Sequence, residues 1–164
     1  MGQITFKAGE DYAIKLAALA GRSEEIVKRA LYEAADIVTD KIRENIEGLP
    51  EDSFRYLKNG DTLSGPTEGQ KDDLLDSLGI TPIEQDKSGW WNVKVGFDGY
   101  GSFPTRKYPQ GLPNQLLARA TESGSSVRQK HPFVRPAVDA TKKAAVAAMQ
   151  NVVDNECKKT MKGS

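Results

Sequence analysis

The chain has 164 residues, 38% of them hydrophobic, and 23 Lys+Arg against 23 Asp+Glu give a formal net charge of +0. This length suits a single domain, 1–164, with a modest core, and a mean hydropathy of −0.55 leaves room for long solvated loops. The charge balance argues against a free nucleic-acid binder, which would be clearly basic; the short apolar runs exclude a membrane span, and one cysteine, Cys157, excludes an internal disulfide.

The first segment, Met1 to Lys7, lacks the basic-then-apolar order of a signal peptide. With the lone cysteine this gives the expectation of a soluble, cytosolic chain. Ile4-Thr5-Phe6 predicts a short strand. Gly9 to Ala20 predicts a short helix with Tyr12, Leu16 and Leu19 on one face and Gly21 as its C-cap. Ser23 then caps a long helix, with Glu24 and Glu25 complementing its dipole. Val27, Leu31, Ala34, Val38 and Ile42 recur at helical spacing, Ile26, Ala30 and Ile46 widen the stripe, and Gly48 and Pro50 end it.

Residues 49–70 have no period and carry the turn signals Asn59-Gly60-Asp61 and Ser64-Gly65-Pro66, so a long loop is expected. Lys71 to Leu78 holds a turn or two of helix before Gly79. Ile80 to Glu84 and Trp90 to Phe97 read as an antiparallel hairpin, with Trp91, Val93, Val95 and Phe97 on its core face. Residues 98–113 form a second long loop, rich in glycine, proline and aromatics. Asn114 to Glu122 reads as a short helix closed by Gly124. Pro136 opens a last helix running to about Lys159, with Val138, Ala145, Met149 and Val152 as its buried stripe. The predicted class is α+β: a small antiparallel sheet packed against two long helices, with long projecting loops.

Chemistry-bearing patterns are sparse. His131 and Cys157 are each alone of their kind, too few for a zinc site. A Cys–His dyad or a carboxylate cluster at Asp72, Asp73 and Asp76 would be needed for a hydrolase. Gly96-Phe97-Asp98-Gly99-Tyr100-Gly101 lacks the Gly-Lys-Ser/Thr of a phosphate loop. No catalytic, cofactor or metal residues are assigned.

The charges are unevenly spread. Acids dominate from Asp61 to Asp86 and bases from Phe103 to Arg135. Such polarisation fits two solvated faces, or complementary surfaces on neighbouring copies in a head-to-tail ring. Tyr100, Arg106, Lys107 and Tyr108 interleave aromatics and bases, as do Arg128, Lys130, His131 and Arg135 around Phe133. These eight polar and aromatic side chains are the candidate contact residues. They suit a protein interface and, alternatively, nucleic-acid phosphates and bases.

The run Lys130-His131-Pro132-Phe133-Val134-Arg135-Pro136-Ala137, preceded by Glu122-Ser123-Gly124 and by a strand ending in Val95-Gly96-Phe97, resembles the small tail-component (neck or tail-completion) proteins of long-tailed bacteriophages and prophages. The closing alanine-rich helix matches, and so does Asp73-Leu74-Leu75-Asp76-Ser77-Leu78 before the hairpin. The resemblance implies a non-enzymatic virion part, made in the host cytoplasm, that joins head to tail or closes the tail's upper end. Its partners would be other neck and tail proteins and copies of itself in a ring, with weak, non-specific DNA contact and no membrane. The resemblance also implies structural roles for a motif of Gly124, Pro132, Phe133 and Pro136: Gly124 lets the chain reverse, Phe133 anchors the loop to the hairpin, and Pro136 starts the last helix.

Overall fold

The computed structural model describes residues 10–53 and 55–162; the predicted strand at Ile4-Thr5-Phe6 lies outside them. The elements are α1 (Glu10–Gly21), α2 (Ser23–Glu47), α3 (Glu68–Ser77), β1 (Leu78–Ile80), β2 (Glu84–Gln85), β3 (Trp91–Asn92), β4 (Val95–Phe97), α4 (Asn114–Ser123) and α5 (Val134–Lys162). The fold is α+β.

Helices α2 and α5 form the frame. The start of α2 (Ile26, Ala30) packs on Val152 with Met149 and Leu19. Its end (Ile42, Ile46) meets Phe133 and Ala137 at the start of α5. Small residues, Ala30 and Ala35 on α2 and Ala137 and Ala145 on α5, are buried and let two long helices approach. Buried Thr39 and Thr141 satisfy their hydroxyls by donating to Ala35 O at 2.8 Å and Ala137 O at 2.7 Å.

The buried stripes differ in detail from the periodicity. On α2, Val27 is exposed and the buried set is Ile26, Ala30, Ala35, Thr39, Ile42 and Ile46. The α2 helix is wedged between α5 and the hairpin, so two flanks are covered and no single apolar row marks them. On α5, Val138 is exposed and Ala137, Thr141, Ala145, Val152 and Glu156 are buried. On α1, Leu16 is exposed and Leu19 makes the core contact. Ser23 is the first helical residue of α2 rather than its cap. Arg22 holds the cap position, without a side-chain cap bond.

One hairpin runs from Leu78 to Phe97 as two short ladders. Strand β1 pairs antiparallel with β4 (Leu78↔Phe97, Gly79↔Gly96, Ile80↔Val95), and β2 with β3 (Glu84↔Asn92, Gln85↔Trp91). Three residues on the outgoing arm, Thr81 to Ile83, oppose two on the return, Val93 and Lys94, so the register slips by one. Pro82 supplies no donor there. Thr81 N–H donates to Lys94 O at 2.8 Å, and Lys94 N–H is taken by the Thr81 hydroxyl at 3.0 Å. The predicted core face holds where the hairpin meets the frame: Leu78, Val95 and Phe97 pack with Ile42, Ile46, Leu74, Leu117 and Phe133. Trp91 is half-buried beneath the Lys28 ammonium of α2, 4.6 Å from the ring centroid, while Trp90 is 74% exposed.

Candidate functional site

The loop from Ser123 to Pro132 is held in place by its two ends. Thr121 O accepts the His131 N–H at 2.8 Å. At Gly124 the chain takes φ +76, and a Cβ there would stand 3.2 Å from Lys130 Cβ and 3.3 Å from its nitrogen. The reversal therefore requires glycine. Beyond it, the Phe133 ring is 1% exposed and meets Phe97 edge-on at 5.9 Å and 68°. The expected anchoring of the loop to the hairpin is what this contact provides.

Helix α5 begins at Val134, two residues before Pro136. Its free amides meet one carboxylate. Glu122 Oε2 accepts from Phe133 N–H at 2.7 Å and Val134 N–H at 2.8 Å, and Oε1 accepts from Arg135 N–H at 3.1 Å. Pro136 has no N–H to leave unpaired. Glu122 thus ties the end of α4 to the start of α5. Burial raises its pKa, but the three amides and the Arg135 charge outweigh that and hold it below the usual 4.5. A carboxylate with a depressed folded pKa stabilises above its unfolded value, and the contribution is lost as pH falls through the folded one. Glu122→Ala should therefore cost about 1–2 kcal/mol at neutral pH. In urea denaturation at a series of pH values, the gap to wild type should shrink as pH drops below 4.5.

The candidate contact residues fall into two groups, and Arg128 leaves them. Its side chain is 7% exposed. It donates to Gly65 O at 2.6 Å and to Gln70 Oε1 at 2.8 Å. Burial lowers its pKa below the usual guanidinium range, opposed by the charge of Asp52. On either side of it, Leu63 N–H donates to Val127 O at 2.9 Å and Gln129 N–H to Leu63 O at 2.9 Å. The second half of the 49–70 loop is thereby strapped to the 125–129 segment and does not project. Asp52 closes the strap from the other side: it accepts from the Ser64 amide at 2.7 Å and hydroxyl at 3.0 Å and pairs with Arg55. The Ser64 amide foremost, against burial and with help from Arg55 and the Ser64 hydroxyl, takes its pKa to about 2. His131 also turns inward: it is half-buried, and its Nε2 is buried without a partner.

Tyr100, Arg106, Lys107, Lys130 and Arg135 remain exposed, and Tyr108 is half-buried with Lys107 5.5 Å from its ring centroid. None of the four cations makes an ion pair among the described residues; nor does Arg119, exposed on α4. The 98–113 loop that carries two of them is firmly built. Gly101 N–H donates to Leu112 O at 2.8 Å and Leu112 N–H to Phe103 O at 3.2 Å. Asp73 accepts from the Ser102 amide at 2.9 Å and hydroxyl at 2.6 Å. A Cβ on Gly69 would meet the Phe103 ring at 2.6 Å, so one edge of the half-exposed ring lies against the α3 backbone at this glycine. Phe103, Leu112 and Gly69 line an open groove of about 770 Å³, with Glu51 and Glu68 among its walls.

The candidates for chemistry are not assembled. Asp73 is spent on Ser102, while Asp72 and Asp76 face solvent. Cys157 lies about 35 Å along α5 from His131 at ~1.5 Å per residue, too far for a dyad. Among the described residues no group of three or more His, Cys, Asp or Glu could hold a metal ion, and no helix is long and apolar enough to cross a membrane.

Sequence reasoning missed three polar fastenings: Glu122, the Arg128–Gln70–Asp52 strap, and Glu156. Glu156 is 3% exposed, joins α5 to Arg22 (3.2 Å) and Arg29 (2.9 Å), and pairs with Lys159 of its own helix at 3.3 Å. The Lys159 bond first, against burial and with the Arg22 and Arg29 charges, lowers its pKa. No family model, no curated protein and no solved structure matches the chain.

Proposed function

We propose that the chain is a structural virion subunit, non-enzymatic, that takes its place in an oligomeric ring joining a phage head to its tail or completing the tail's head-proximal end. The observation that supports this most is the condition of the run that carries the resemblance. Glu122, Gly124 and Phe133 each have a demanding local job, as the structural roles implied by the resemblance would ask of them. Around it, firmly held loops present exposed aromatics and cations that make no ion pair among the described residues, which suits docking on neighbouring proteins.

The first test is the coding neighbourhood. Portal and capsid genes on one side and tail-tube genes on the other are expected; a metabolic neighbourhood would overturn the reading. The second is functional. Arg106→Glu with Lys107→Glu should change folding stability by less than ~0.5 kcal/mol, as surface substitutions do, yet abolish incorporation into particles. Full incorporation of the double variant would remove this loop from the interface.

A second reading is favoured by the same unpaired cations: Arg106, Lys107, Arg119, Lys130 and Arg135 on phosphates. It requires tight DNA binding that weakens steeply with salt. Weak, sequence-blind binding alone fits a ring around DNA and does not support a separate DNA-binding role.

A further inference from the structure

Two oxygens require Gly101 to be glycine. Its φ is not positive, yet a Cβ on it would stand 2.6 Å from Asp73 Oδ2 and 3.2 Å from Asn114 Oδ1. Asp73 comes from α3, Asn114 from the first turn of α4, and Gly101 from the loop between β4 and α4. Backbone bonds hold the loop to the helix start: Gly101 N–H donates to Leu112 O at 2.8 Å, and Asn114 N–H to Gly99 O at 3.1 Å. The two side-chain oxygens meet beside the place where Gly101 has no side chain.

Both oxygens are acceptors, and one of them has no donor. Asn114 is 4% exposed. Its Nδ2 donates to Asp98 O at 2.9 Å, which fixes the amide's orientation; a flipped amide would set Oδ1 against that carbonyl. Oδ1 is left buried without a partner, and a buried polar atom in that state calls for an explanation. Asp73 takes one bond on each oxygen, from the Ser102 amide at 2.9 Å and hydroxyl at 2.6 Å. Each oxygen keeps lone-pair capacity for a further partner. Its charge makes no ion pair among the described residues. A carboxylate and a buried amide carbonyl that meet with no donor between them suit a positive charge. Both are hard oxygen ligands. Calcium accepts carboxylate and Asn carbonyl oxygens at ~2.3–2.6 Å in a flexible shell completed by water, whereas magnesium demands near-ideal octahedral geometry.

We infer that Asp73 Oδ2 and Asn114 Oδ1 bind a calcium-class divalent cation beside Gly101, with water filling the rest of its shell. One carboxylate and one amide oxygen make a weak site, in the range of about 10⁻⁴–10⁻³ M. The ion would join α3, the start of α4 and the 98–113 loop at one point. That loop carries Tyr100, Arg106, Lys107 and Tyr108, so calcium would steady the side chains offered to a partner. The inference goes beyond the ring reading and does not depend on it.

The test uses the full chain, stripped with a chelator. CaCl2 is titrated to about 10 mM, tenfold above the ~1 mM weak end of protein calcium sites, and the melting midpoint is read at constant ionic strength. A rise of about 3–6 °C is expected, with MgCl2 giving a clearly smaller one. Tb3+ should bind in calcium's place, luminesce when Tyr100 beside the site is excited, and be displaced by calcium. Asp73→Asn should weaken both responses at least about tenfold in concentration, since it removes the only charge among the ligands. Asn114→Asp exchanges the bond to Asp98 O for a second carboxylate. It should lower the midpoint without calcium and gain more from calcium than wild type does, which a merely structural amide would not produce. Asp139→Asn, exposed on α5, should leave the response unchanged. No midpoint rise and no terbium signal would overturn the site and leave Asn114 Oδ1 to a buried water. A response that Asp73→Asn leaves intact, or an Asn114→Asp chain that gains no more than wild type, would overturn it as well.

Discussion

Phe133→Ala is expected to cost about 3–5 kcal/mol of folding stability, a large part of the roughly 5–15 kcal/mol that a domain usually has. The ring is 1% exposed, among Ile42, Ile46, Leu117 and Ala137. Its edge contact with Phe97 adds about 0.5–1.5 kcal/mol beyond the area buried. The backbone around it cannot relax to fill the gap. Phe133 N–H is held by Glu122 at 2.7 Å and Phe133 O accepts from Asn45 Nδ2 at 2.9 Å. A cavity should therefore persist at the junction of α2, α4, α5 and the hairpin, and the loss should lie near the upper end of that range. Urea denaturation should show a lower midpoint at unchanged slope. A shift below ~1 kcal/mol would mean that the ring is not part of the core.

What was legible in the sequence was what local pattern decides. The 3.6-residue periods announced α2 and α5, alternation announced the hairpin and its Val95 and Phe97 face, and the glycine after Ser123 announced the end of α4. The burial stripes were misplaced because alanine and threonine fill the seam between α2 and α5, and neither marks a face by hydrophobicity. The register slip at Pro82 depends on a threonine hydroxyl standing in for a carbonyl, which alternation does not encode. The site was less legible, because its fastenings are polar and distant. Arg128 sits in a polar loop and looks like a surface cation; its acceptor, Gly65 O, is 63 residues away. Glu122 looked like a leftover acid in a basic stretch. Its isolation was the available signal: a lone carboxylate shortly before a proline-opened helix has unpaired amides within reach.

Arg128→Ala is the second large expectation, about 2–4 kcal/mol. Hydrogen bonds to charged groups contribute ~1.5–3 kcal/mol each, and a buried acceptor left without a donor carries its own cost. Gly65 O would be such an acceptor, because Gly65 and Pro66 are buried and Gly65 packs so closely on Pro50 that a Cβ would not fit between them. Gln70 would keep its bond to Thr67 N–H at 3.2 Å, so the start of α3 should survive while the strap opens. Arg128→Lys should recover only part of the loss, since a single ammonium lacks the planar fork that reaches Gly65 O and Gln70 Oε1 together. The damage should be local as well as global. The stretch with Tyr56, 97% exposed, is tethered on its far side by Leu63 and Ser64, and with Arg128 gone that tether keeps the Asp52 bonds, the Leu63 backbone pair and the long Arg55 bond to Thr62 O at 3.4 Å. Limited proteolysis should then cut within 49–70 much faster than in wild type, ahead of any cut in α2 or α5. If Arg128→Ala leaves both the denaturation midpoint and the cleavage rate unchanged, the guanidinium is free at the surface and belongs again with Lys130 and Arg135 among the residues that meet a partner.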